Sequence, residues 1–204
     1  MSQQPRTTAA PEAARRVPLL NVANALTVVR LALVPVFVWL MLQPGEWLRL
    51  AAAVVFVVAA FTDQLDGYLA RSWDLVTNFG KIADPIADKA LTLTAFLLLS
   101  VSGILWWLVT VVILVRELGI TVLRFVMLRR NVVMPASAGG KLKTTLQMLG
   151  LVCLLTPWGL LLPGMAQVLR GVGYVAVGAS LLVTVVTGVD YVLKAVRLAR
   201  QNAS

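Results

Sequence analysis

The chain has nine acidic residues, and four of them crowd into residues 63–88, as Asp63-Gln64-Leu65-Asp66 and Asp84-Pro85-Ile86-Ala87-Asp88. Positions three or four apart on a helix share a face. Asp63 and Asp66 therefore share one face, and Asp84 and Asp88 share another. Both pairs adjoin strongly apolar stretches, where an ionised carboxylate is costly and marks function by default. Carboxylates brought together repel, and a divalent cation removes the repulsion. Ligation by oxygen alone suits Mg²⁺ or Mn²⁺ rather than zinc. Magnesium commonly works with phosphate groups, and the set is large enough for two ions that clamp one phosphate. The plainer alternative is surface ion pairing of these acids with Arg71, Lys81 and Lys89. That suits one aspartate better than four at this spacing.

The residues between the acids fit a phosphate ligand. Gly67 and Ala70 keep bulk away from the helix beyond Asp66, so a large group can lie against it. Gly80 opens the connection ahead of the second pair, and Arg71 can meet a phosphate with paired hydrogen bonds. The chain has no histidine. Ser-His and Cys-His catalysis and histidine-ligated zinc are thereby excluded, and a general base must be a carboxylate, a lysine or a tyrosine. Cys153 is the single cysteine, so there is no intrachain disulfide and no thiolate metal site. It reads as a small core residue.

These acids must be positioned by helices in lipid. Of 204 residues, 59% are hydrophobic and 13% charged, against about 25% charged in an average soluble domain. The fold class expected is an all-α integral membrane protein, one domain of six transmembrane helices over 23–193. A crossing needs about 20 apolar residues, and the spans fall near Ala23–Met41, Trp47–Asp66, Pro85–Ser102, Ile104–Leu128, Thr144–Leu162 and Val168–Leu193. Residues 1–22 read as a tail leading into an interfacial helix, with no signal peptide, and 194–204 as a short basic tail. Trp39, Trp47, Trp106, Trp107 and Trp158 read as interface anchors. The glycines at 171, 173 and 178 read as close helix packing, extending to a dimer contact. Asp190 and Lys194 form a local i, i+4 pair.

The formal net charge of +9 points to anionic headgroups, because the basic residues cluster at the ends of apolar runs. No aromatic-rich basic face suggests nucleic acid. Arg71, Lys81, Arg129, Arg130, Lys141 and Lys143, with the basic residues of both ends, fall on one side; only Arg49 and Arg170 fall on the other. The positive-inside rule puts that side, the four acids and both termini in the cytoplasm.

The run Asp63-x2-Asp66-Gly67-x2-Ala70-Arg71-x8-Gly80-x3-Asp84-x3-Asp88 resembles the signature of the CDP-alcohol phosphotransferase family at all eight fixed positions. Further blocks are similar to the branch that makes phosphatidylglycerophosphate: Asn24-x-Leu26-Thr27-x2-Arg30 with Pro35, Thr62-Asp63, Asp84-Pro85-x-Ala87-Asp88-Lys89, Arg116-Glu117 with Arg124, and Gly140-Lys141-x-Lys143-Thr144-Thr145. The resemblance implies a bacterial enzyme of the inner membrane. It would transfer the phosphatidyl group of CDP-diacylglycerol to sn-glycerol 3-phosphate and release CMP, acting as a homodimer. It implies that Asp63, Asp66 and Asp84 hold metal and the diphosphate, and that Asp88 is both metal ligand and base. Gly67, Arg71 and Thr77 match positions that contact the CDP part. Ala70 and Gly80 belong to the same run, and Asn24 and Thr27 border the pocket.

The acceptor's phosphate needs cations, for which the sequence offers Arg116, Arg124, Lys141 and Lys143. An ion pair with Glu117 is the alternative for Arg116, and membrane anchoring is the alternative for the two lysines. Other acceptors within the family, as in cardiolipin, phosphatidylinositol-phosphate or phosphatidylserine synthesis, would leave the catalytic run nearly unchanged. A cation transporter would instead need acids near mid-membrane and a path through both faces. Here the acids lie at one end.

Overall fold

The structure is a computed structural model. It describes the backbone of residues 22–72, 78–129 and 139–201, and the side chains within them other than those of 22–24, 63–72, 78–85, 88, 124, 128, 129, 195, 196 and 198–201. The expected interfacial segment before Val22 lies outside these residues. All regular structure among the described residues is helical: α1 (Val22–Leu42), α2 (Glu46–Ser72), α3 (Asn78–Val101), α4 (Trp107–Arg129), α5 (Gly139–Leu155), a single turn α6 (Trp158–Leu161), a 3₁₀ turn at Pro163–Met165, and α7 (Ala166–Gln201).

Six long helices thus stand where six apolar runs were expected, with differences at their ends: α2 runs on to Ser72, α3 starts at Asn78 and α5 at Gly139, so Gly80 lies in a helix rather than in a connection. The fourth starts at Trp107, because α3 is closed by Gly103 in the left-handed region (φ 69°). Ile104 and Leu105 then donate their N–H groups back to the Leu99 carbonyl at 2.9 and 3.1 Å. The left-handed residue satisfies carbonyls that the helix end leaves open. The fifth ends at Leu155, because Pro157 supplies no N–H to continue it. The last runs on through the basic tail to Gln201. Ala25–Leu42 in α1, and Pro163–Lys194, which joins the 3₁₀ turn to most of α7, are long and apolar enough to cross a membrane, at mean hydropathy 2.3 and 2.0.

The end of α5 shows how the chain manages without water. Thr156 Oγ1 donates to Val152 O at 2.7 Å, and Trp158 Nε1 to Cys153 O at 2.7 Å. Arg49 of α2 donates to Leu154 O at 2.8 Å and Leu155 O at 3.1 Å. The four carbonyls a helix terminus leaves unpaired are all satisfied. Trp158 therefore caps the helix through its indole.

Packing centres on α5, which meets α2, α3 and α7, while α1 lies along α2 and α3 and α4 joins α3 to α7. The core between them includes Phe37 and Phe56, with ring centroids 5.8 Å apart, and Phe96, Leu91, Leu99, Leu151, Leu155 and Val177. At Gly150 α5 and α7 come close together. A Cβ there would lie 2.6 Å from Val177 Cγ2, 3.1 Å from Val177 N and 3.2 Å from Gly173 O. Small residues permit such backbone approach in helix bundles. The outer surface is apolar: Val175, Leu182, Val186 and Val115 are each more than 60% exposed. An apolar exterior of this extent signals contact with something other than water.

Candidate active site

The backbone brings the acids to one level. Asp66 lies six residues before the end of α2 and Asp84 six residues after the start of α3. At about 1.5 Å per residue, each is roughly 9 Å from its helix terminus. Asp63 and Asp88 lie nine and ten residues from the same ends, roughly 14 and 15 Å in. The two helices touch and are separated by residues 73–77 alone. Consecutive helices so closely connected run antiparallel, so both acid pairs occupy the same end of the bundle. The side chains of Asp63, Asp66, Asp84 and Asp88 lie outside those described, as do those of Asn24, Ala70, Arg71 and Arg124. Gly67 and Gly80 are placed within α2 and α3 by their backbone, and Thr77 lies wholly outside the described residues.

α1 contributes at matching depth. Thr27 and Arg30, five and eight residues into α1, are 1% and 0% exposed, and α1 packs on both acid-bearing helices. Arg30 belongs to the motif Asn24-x-Leu26-Thr27-x2-Arg30, yet was not singled out as a site residue. Its signal was there to read, since an arginine inside an apolar helix is costly unless it has a role.

One helix residue beyond Asp88 begins a charged cluster that the structure shows in detail. Lys89 Nζ of α3 donates to the backbone carbonyl of Glu117 in α4 at 3.3 Å. The Glu117 carboxylate accepts from Arg116 Nη1 at 3.0 Å and from Lys143 Nζ of α5. Arg116 Nη2 donates to Thr187 Oγ1 of α7 at 2.9 Å. Its stem lies against Gly188, where a Cβ would come within 3.2 Å of Arg116 Cγ. The side chains of Arg116, Glu117 and Lys143 are 14%, 12% and 8% exposed. Among the described side chains, cations from α3, α4 and α5 gather at Glu117, two on its carboxylate and one on its backbone carbonyl. A buried charge persists only when paired and hydrogen-bonded, and Glu117 does this for two of them.

Of the four acceptor candidates, Arg116 and Lys143 are thus brought together on Glu117, and Lys141 is exposed on the first turn of α5. Glu117, Lys89, Thr187 and Gln147 complete the surroundings and were not among the candidates. An acid inside an apolar run could have flagged Glu117. Gln147 follows Lys143 by one helical turn on the same buried face of α5.

Matched pairs of acids at one end of a membrane-type helix bundle define a class. A family model described as CDP-alcohol phosphatidyltransferase matches residues 20–189, and the chain belongs to that family. Among named relatives it is similar to a "Probable phosphatidylglycerophosphate synthase" of Mycobacterium tuberculosis, 44% identical over 200 residues, covering 97% of this chain and 90% of the relative. It is also similar to the "CDP-diacylglycerol--glycerol-3-phosphate 3-phosphatidyltransferase" of Bacillus subtilis, 38% identical over 149 residues (67% of this chain, 77% of the relative). The Escherichia coli K12 protein of that name is 41% identical over 139 residues, covering 66% and 76%.

Proposed function

We propose that the protein transfers the phosphatidyl group of CDP-diacylglycerol to the primary hydroxyl of sn-glycerol 3-phosphate, giving phosphatidylglycerophosphate and CMP. The observation that carries this reading is the placement of Asp63, Asp66, Asp84 and Asp88 at matched depths on adjoining helices, in a chain of this family. Relatives named for that reaction share up to 44% identity with it.

Asp63, Asp66, Asp84 and Asp88 would hold one or two Mg²⁺ or Mn²⁺ ions. Their all-oxygen donor set, in a chain without histidine, fits such a cation. When bound, the metal offsets diphosphate charge and stabilises the leaving CMP. Asp88 takes the proton of the acceptor hydroxyl. The freed oxygen attacks the phosphorus that bears diacylglycerol, a new P–O bond forms, and the bond from that phosphorus to the CMP oxygen breaks. Asn24, Thr27, Gly67, Ala70, Arg71, Thr77 and Gly80 line the CDP side. Arg116, Arg124, Lys141 and Lys143 supply positive charge for the acceptor's phosphate.

The six long helices serve as six spans in the bacterial cytoplasmic membrane, with both termini and the acids on the cytoplasmic side. Charge bias supports this orientation. The acids then meet the lipid substrate's diphosphate at the depth where it enters the headgroup region. The protein acts as a homodimer, for which the open flank of α7 at Gly171, where a Cβ would meet nothing within 4 Å, offers a contact. The deciding experiment is acceptor choice in detergent. Labelled glycerol 3-phosphate should become lipid-extractable only with CDP-diacylglycerol present. Equal incorporation of labelled inositol phosphate would overturn the acceptor assignment.

A further inference from the structure

Beside Glu117 lies a small recess of about 30 Å³, lined by Lys89 and Thr92 of α3, Glu117 of α4, and Lys143, Thr144 and Gln147 of α5. Leu93 and Met148 form its apolar wall. Gln147 is only 3% exposed, and its Nε2 has no hydrogen-bond partner among the described residues. A buried amide donor without a partner is destabilising by itself, and in native structures such a group calls for an explanation. The volume admits a water-sized group such as a hydroxyl. A hydroxyl both accepts and donates. In this space it can accept from Gln147 Nε2 and donate to the Glu117 carboxylate.

We infer that Gln147 is a specificity-determining residue and that this chamber is a subsite for the non-reacting hydroxyl of the acceptor. The inference rests on the acceptor reading above. It adds what that reading leaves open, namely how an acceptor with a hydroxyl beside its reacting carbon is told from one without. Position supports it: Lys89, in the chamber wall, follows Asp88 directly and is tied to Glu117. A hydroxyl held in the chamber would stand close to the residue assigned as base. The neutral amide of Gln147 suits this task, because a hydroxyl is recognised by pairing both of its hydrogen-bonding roles.

The test compares glycerol 3-phosphate with 3-hydroxypropyl phosphate, which keeps the phosphate and a primary hydroxyl and lacks the second hydroxyl. The wild-type protein should prefer glycerol 3-phosphate by about 10- to 100-fold in kcat/KM, as expected when a buried polar site is left unmatched. Gln147→Met, close in length and without the amide, should bring the two acceptors to within a few-fold of each other. It should do so mainly by lowering kcat/KM for glycerol 3-phosphate. Equal use of both acceptors by the wild type would overturn the proposal whatever the variant does, and would assign the chamber to a structural water. Unchanged preference in Gln147→Met would overturn it as well. Should that variant fail to fold, Gln147→Leu serves for the same ratio, and the wild-type comparison stands alone as a test. A wild type that uses neither acceptor contradicts the proposed function itself, a different outcome from failed discrimination.

Discussion

Neutralising Glu117 is expected to loosen the join between α4 and α5. The Glu117→Gln change removes one negative charge that accepts from both Arg116 and Lys143, whose side chains are 14% and 8% exposed. Removing one partner of a buried pair typically costs 3–5 kcal/mol, because the remaining charge stays buried and uncompensated. A glutamine oxygen can still accept one of the two bonds, and each side chain keeps some solvent. The low end, about 3 kcal/mol, is therefore expected. At roughly 2–4 °C per kcal/mol for a chain of this size, the unfolding midpoint should fall by about 6–12 °C. Cys153, single and buried at 6% exposure, provides the assay, since a thiol-reactive dye in detergent reports when α5 leaves its packing. A double-mutant cycle with Lys143→Met separates the pair from mere substitution. The combined variant should be less destabilised than the sum of the two by at least about 1 kcal/mol. A midpoint for Glu117→Gln within about 2 °C of wild type, or strict additivity in the cycle, would refute the reasoning.

Asp88→Asn keeps size and removes the assigned base; CMP release should fall by about 100-fold or more, while thermal stability in detergent stays near wild type. Gly150→Ala should destabilise by about 1–3 kcal/mol, because its Cβ would meet the backbone of α7 at 3.1 and 3.2 Å. Gly173→Ala should cost a similar amount, since its Cβ would meet Cys153 Cβ, which is fixed by its own backbone, at 2.9 Å, and the same dye assay compares the two. Arg49→Met should remove two charge-assisted hydrogen bonds to the end of α5. About 2–4 kcal/mol is expected, seen as early hydrogen exchange at residues near Leu155.

The helices were legible in the sequence because apolar runs of membrane length leave few alternatives. The ends were less so. Leu160, Leu161 and Leu162 continue the apolar run past Pro157, so hydropathy gave no sign that α5 stops at Leu155. Lys194, Arg197 and Arg200 looked like a tail because hydropathy falls there, yet Lys, Arg, Ala and Leu are all good helix formers. That Asp63 and Asp66, and Asp84 and Asp88, share one end of adjoining helices was legible from their spacing. The acceptor side was legible only as positive charge. That Arg116 pairs with Thr187, 71 residues away, depends on how α4 meets α7, which local sequence does not encode. Gln147 carries no charge and no motif. Its interest comes from burial and a missing partner, and both are properties of packing.

The central claim is that these four acids form a metal-dependent site for phosphatidyl transfer. The most direct measurement follows CMP and lipid product together. Purified protein is given CDP-diacylglycerol and glycerol 3-phosphate with Mg²⁺, then with chelator, then with Mg²⁺ restored. CMP and phosphatidylglycerophosphate should appear in equal amounts, be lost with chelation and return with the metal. CMP release that ignores glycerol 3-phosphate, or full activity in chelator, would contradict that claim.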